Sequence, residues 1–93
     1  MKAKVFYFTG TGNSLIAAKR VANGIGASIE PIAKYQDKQS VNTNEDIIGV
    51  VFPVYLAQIF GIPEIVRNFL GKIKYCKGKY YFIVCNPLAE LSS

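Results

Sequence analysis

Three runs of β-branched and aromatic residues dominate the hydropathy pattern: Lys4 to Phe8, Ile47-Ile48-Gly49-Val50-Val51-Phe52, and Tyr80-Tyr81-Phe82-Ile83-Val84-Cys85. Short, nearly continuous apolar runs of this kind are the signature of strands covered on both faces, as in a parallel sheet. Between the first two runs the period changes. From Ser14 to about Asn23 the apolar residues Leu15, Ala18, Val21 and Ala22 recur at helical spacing, and Gly24 and Gly26 supply a stop. Pro63 and Glu64 open a second helix, in which Ile62, Ile65, Val66, Phe69 and Leu70 keep the helical period until Gly71. Ser28 to Ile32 reads as a weaker strand ended by Pro31, and Tyr35 to Asp46 as a polar connection with at most one turn of helix. Pro53 closes the second strong strand, and Asn86-Pro87 closes the third. Strands alternating with helices predict parallel pairing through right-handed crossovers, hence an open α/β sheet with helices on both faces. In such sheets ligands sit outside the carboxyl ends of the strands.

Size and charge narrow the function classes. At 93 residues the chain has room for one small domain, spanning 1–93, with a thin core. A composition of 51% apolar and 13% aromatic residues suits a packed globular protein, and no stretch is apolar for long enough to span a bilayer. No signal-peptide cleavage pattern follows Lys2 and Lys4, so a cytoplasmic location is expected. The formal charge is +5, with basic residues gathered at Lys72, Lys74, Lys77 and Lys79. These read as solvated lysines around a helix end, and no nucleic-acid-binding motif accompanies them. Cys76 and Cys85 form no metal-ligand spacing, and the chain has no histidine to join them. Reduced, structural thiols are expected.

The candidate chemistry lies directly after the first strand, in Thr9-Gly10-Thr11-Gly12-Asn13-Ser14. Two glycines permit a tight turn, three hydroxyls and the Asn13 amide offer hydrogen bonds, and the helix just beyond presents its positive end. The loop contains no lysine, and Gly12 is followed by Asn-Ser where a Walker loop needs lysine and a hydroxyl. A dinucleotide fingerprint needs a third glycine where Leu15 stands, although Glu30 lies near the distance at which such sites place an acid. What remains is a site that holds a phosphate monoester with neutral donors.

The pattern hydroxyl, any residue, hydroxyl, glycine, any residue, hydroxyl after an apolar strand resembles the phosphate loop of the flavodoxins. The stretch Val51-Phe52-Pro53-Val54-Tyr55 through Gly61-Ile62-Pro63 is similar to the second loop of flavodoxin-like proteins, which bacteria and archaea carry alone or fused to ferredoxin modules. The resemblance covers residues 2 to about 85. It implies a flavodoxin-like open parallel sheet of strand order 2-1-3-4 and flavin mononucleotide (FMN) as cofactor. It also implies that Thr9, Thr11, Asn13 and Ser14 hold the phosphate while Gly10 and Gly12 shape the backbone. Pro53, Val54 and Tyr55 would lie along the ribityl chain and one side of the flavin ring; Tyr7, Tyr80 and Tyr81 would be core or sheet-face residues.

The resemblance stops after the fourth strand. The fifth strand and last helices of the family are missing, and Asn86 to Ser93 does not resemble its third flavin loop. The sequence therefore predicts a domain truncated after its fourth strand. The edge Tyr80–Cys85 would be left bare, which predicts a homo-oligomer through that strand, a separate partner supplying the missing part, or an unstable truncated product. The function implied is FMN-dependent electron transfer, with a ferredoxin-type or reductase protein as redox partner and no catalytic residue from the chain. Two other readings stay open: a truncated domain that no longer binds flavin productively, acting as an interaction module or without function, and an FMN-dependent quinone-type reductase.

Overall fold

The three strong apolar runs and the weaker one pair as a single parallel sheet in a computed structural model that describes residues 2–8, 13–53 and 64–86. The elements in chain order are β1 (Ala3–Tyr7), α1 (Asn13–Ile25), β2 (Ser28–Pro31), a 3-10 turn (Ile32–Tyr35), β3 (Ile47–Pro53), α2 (Glu64–Lys72) and β4 (Tyr80–Asn86). The strand order is β2-β1-β3-β4, every neighbouring pair parallel. This is the architecture and order that the sequence implied.

The order fixes where the helices go. The chain leaves β1 toward β2 on one side and later moves through β3 to β4 on the other, so right-handed crossovers put α1 and α2 on opposite faces. Two separate cores result. On the α1 face, Val5 and Val51 pack beneath Ala18 and Ala22. The two small alanines let the helix backbone approach the sheet closely. On the α2 face, Phe6, Ile48, Val50 and Phe52 meet Val66 and Phe69, with Ile32, Val41 and Ile73 closing the rim. The Phe6 and Phe69 rings meet with centroids 4.8 Å apart and planes inclined by 55°, and Tyr35 adds an edge-on contact to Phe6 at 5.7 Å. The alternation of β1 and β3 between the two cores is the period-two consequence of the pleat.

Several boundaries differ from the sequence reading, each for a physical reason. Helix α1 runs through Gly24 to Ile25, because the tertiary contacts of Ala18 and Ala22 outweigh the propensity cost of one exposed glycine. It stops at Gly26, whose φ of 68° is the left-handed conformation that glycine adopts without a Cβ penalty. The Ala27 N–H then donates to the Ala22 carbonyl at 2.8 Å, the long bond of a Schellman cap. A 3-10 turn that the sequence reading did not give occupies Ile32–Tyr35, directly after Pro31, because burial of Ile32 draws that segment onto the α2 core. The following connection is pinned at Val41, whose N–H donates to the Lys72 carbonyl at 2.8 Å.

Two of the four clustered lysines are tethers and not merely solvated charges. Lys72 Nζ donates to the carbonyls of Tyr35 and Gln36 at 3.0 and 2.9 Å, closing the carbonyl end of the 3-10 turn. Lys79 Nζ donates to the Thr43 carbonyl and reaches its hydroxyl. Both link the segment after β2 to the β4 side of the molecule. Among the described residues no helix is long and apolar enough to cross a membrane.

Candidate functional site

The carboxyl ends of β1 and β3 lie side by side. Tyr7, the last residue of β1, is opposite Val51, and the Phe8 N–H continues the ladder by donating to the Val51 carbonyl at 2.9 Å. Strand β3 then extends to Pro53, opposite Asn86 at the end of β4. Between β1 and β3 the two crossovers diverge, and this divergence is the switch point at which open α/β sheets leave a crevice. In the sequence, residues 8–12 separate the end of β1 from the first residue of α1.

Each sequence-predicted site residue can be located against this frame. Asn13 and Ser14 are the first two residues of α1, and Pro53 is the last of β3; for these three the backbone is described. Thr9, Gly10, Thr11, Gly12, Val54 and Tyr55 lie outside the described residues. Helix α1 therefore starts within the hydroxyl-glycine motif. Its first turn contains no acidic residue, so no carboxylate of its own competes for the positive helix end. Along α1 the first cationic residue is Lys19.

Tyr7 and Tyr81 are partly buried against the α1-face and α2-face cores respectively, the sheet-face role expected of them. Tyr80 differs: it is 64% exposed on the β4 edge, with its ring 6.0 Å from that of Phe82.

Glu30 is committed elsewhere. Its carboxylate accepts from Tyr35 Oη, pairs with Lys34 Nζ at 2.7 Å and with Lys4 Nζ at 3.2 Å. Lys4 in turn reaches Glu45 at 3.6 Å. Desolvation pushes the Glu30 carboxyl up, but the hydrogen bonds from Lys34, Tyr35 and Lys4, with the charge of Lys4, outweigh it and hold the pKa at about 2. Burial and the adjacent Glu30 carboxylate push the Tyr35 hydroxyl up to about 12. A carboxylate held this firmly has a structural role, tying β1, β2 and the 3-10 turn together. This is the one acid whose spacing suggested a dinucleotide ribose, and the described residues give it partners within the protein instead. The network was legible in part, since Glu30 and Lys34 stand four residues apart; the shared role of Lys4 depends on the β1–β2 register, which no local pattern encodes.

Comparison with known proteins finds no significant match to a family model, to a characterised protein sequence or to a solved structure.

Proposed function

We propose that this chain is a flavodoxin-like FMN-binding module that carries electrons in the cytoplasm, exchanging them with a ferredoxin-type or reductase protein. One observation carries the reading: the hydroxyl-glycine loop is joined to the carboxyl end of β1 and opens α1 at the point where the crossovers of a 2-1-3-4 sheet diverge. A phosphate at that position gains backbone N–H donors and the partial positive charge of a helix end. In this reading Thr9, Thr11, Asn13 and Ser14 hold the phosphate, Gly10 and Gly12 allow the backbone to close around it, and Pro53, Val54 and Tyr55 border the ribityl chain and ring.

Bound FMN would supply the redox chemistry, accepting and releasing electrons at its ring system. The chain's own residues would bind and orient it. The hydroxyls and amides fix the phosphate end, and the segment from Pro53 to Tyr55 borders the ring end. Isothermal titration of the protein with FMN tests the proposal. Saturable binding supports it, and absence of binding with a Kd better than about 1 mM, near −4 kcal/mol, removes it. Turnover of a reduced nicotinamide cofactor with a quinone, by the FMN-loaded protein alone, would replace the carrier role with that of a reductase.

A further inference from the structure

We propose that the outer edge of β4 is a self-pairing surface, joining two copies of this chain antiparallel, β4 to β4, about a two-fold axis at Ile83. The two edges of the sheet are built differently. At one edge β2 has four residues, ends in Pro31 and carries Glu30 within its ion-pair network. Short length, charge and proline are the devices by which edge strands resist pairing. At the other edge β4 has seven residues, Tyr-Tyr-Phe-Ile-Val-Cys-Asn, with no charge and no proline. Among the described residues nothing pairs with its outer side.

The hydrogen-bond direction determines which residues would pair. The Tyr80 N–H donates inward, to the Asp46 carbonyl at 2.8 Å. Because backbone groups alternate along a strand, Phe82 and Val84 also face β3, and Tyr81, Ile83 and Cys85 turn their N–H and C=O groups outward. Placing the axis at Ile83 makes Ile83 its own hydrogen-bonded partner and sets Tyr81 opposite Cys85. All three outward residues then exchange both bonds, giving about six across the junction.

The side chains agree with this arrangement. Ile83 is 52% exposed although it sits in the middle of an apolar strand. Beside it an open groove of about 290 Å³ runs along the α2 face, bordered by Ile48, Leu70, Ile73, Tyr75, Tyr81 and Ile83. A two-fold at Ile83 brings the two grooves together and covers Ile83 with its own copy.

Charge and geometry favour a second copy over other occupants. Although the chain carries a formal charge of +5, the self-paired strands bring no like charges into opposition. The adjacent Lys79 is drawn back to Thr43. Head-to-tail pairing of β4 with the β2 edge of another copy would meet Pro31, which lacks an N–H, and the Glu30 network, so a closed pair is favoured over an open filament. The area is modest. A seven-residue strand is about 23 Å long, and the molecule's shortest dimension is 20 Å. The product is roughly 460 Å² per copy and about 900 Å² in total, below the ~1,200–2,000 Å² of stable interfaces, which fits a weak, reversible dimer.

Sedimentation velocity of the chain between 1 and 200 μM, paired with amide hydrogen exchange at both ends of that range, tests the proposal. The expected result is a concentration-dependent shift from monomer to dimer. The Tyr81, Ile83 and Cys85 amides should gain at least tenfold protection in the dimer, while Phe82 and Val84 stay protected at both concentrations. Ile83→Lys should remain folded by circular dichroism and stay monomeric at 200 μM, because its side chain starts half in solvent. If that variant is unfolded, Ile83→Thr with the same exchange measurement takes its place. A wild-type monomer at 200 μM overturns the proposal. So does a dimer in which the alternate amides gain no protection, and so does protection of Tyr81 and Ile83 that is independent of concentration, which would mean that another part of the same chain covers the edge.

Discussion

Gly49 stands in the middle of β3, in a run of β-branched residues where nothing in the backbone demands glycine; positive φ among the described glycines is confined to Gly26 and Gly78. Its role is steric. A Cβ at Gly49 would lie 2.3, 2.6 and 2.8 Å from Cζ, Cε2 and Cε1 of the Phe82 ring, against the usual contact of 3.4 Å or more. The Gly49→Ala substitution therefore forces the ring to move by about 1 Å. Overpacking of this kind costs about 1–3 kcal/mol. Phe82 is only half-buried on an edge strand and has somewhere to go, so we expect about 1–2 kcal/mol. Phe82→Ala alone should cost about 2 kcal/mol, less than a fully buried phenylalanine. Combining the two reverses the sign of the first effect. With the ring gone, the added methyl group fits and recovers the roughly 0.5–1 kcal/mol that glycine forfeits in a strand, about 0.5 kcal/mol of which we expect to observe. A double-mutant cycle by urea denaturation, followed by far-ultraviolet circular dichroism, measures the coupling. Equal destabilisation by Gly49→Ala with and without the Phe82 ring would refute the steric argument.

Three further outcomes are expected, two from the geometry and one from the proposed function. The depressed Glu30 pKa contributes stability that is fully present above the unfolded value of about 4.5 and is lost as pH falls through about 2; Glu30→Gln should remove about 1–2 kcal/mol at pH 7, discounted for the 59% exposure of the Lys34 partner, and flatten the stability profile between pH 5 and 2. Phe69→Ala, which deletes a 2%-exposed ring packed at an angle against Phe6, should cost about 3–5 kcal/mol by chemical denaturation, and a loss below about 1 kcal/mol would contradict the assigned core. Thr11→Val should weaken FMN binding about tenfold or more in a calorimetric titration, the loss of one hydrogen bond to a charged acceptor, with circular dichroism unchanged.

The fold was legible where periodicity was unambiguous. Runs such as Ile47–Phe52 and Tyr80–Cys85 are too apolar and too β-branched for surface helices, and their alternation with amphipathic helices leaves few topologies. The 3-10 turn at Ile32–Tyr35 was not legible, because it depends on Ile32 joining the core that Val66 and Phe69 of α2 build on the sheet. Neither was the carry of α1 past Gly24, since local propensity argues for a stop there and only the packing of Ala22 argues against it. The lysines at 72 and 79 look like surface charge in one dimension, and their acceptors lie more than thirty residues away. At the candidate site the hydroxyl-glycine motif reads in the sequence as an anion loop; residues 9–12 lie outside the described residues, and the structure shows the 2-1-3-4 strand order and the start of α1 at Asn13.

The central claim is that the loop after β1 recognises the phosphate of a flavin. Parallel titrations with FMN and with riboflavin, followed by flavin fluorescence, test it most directly because the two ligands differ only in the phosphate. Several charge-assisted hydrogen bonds at a helix end should make FMN bind at least about 100-fold tighter than riboflavin. Equal affinity for the two, or no binding of either, would contradict the account.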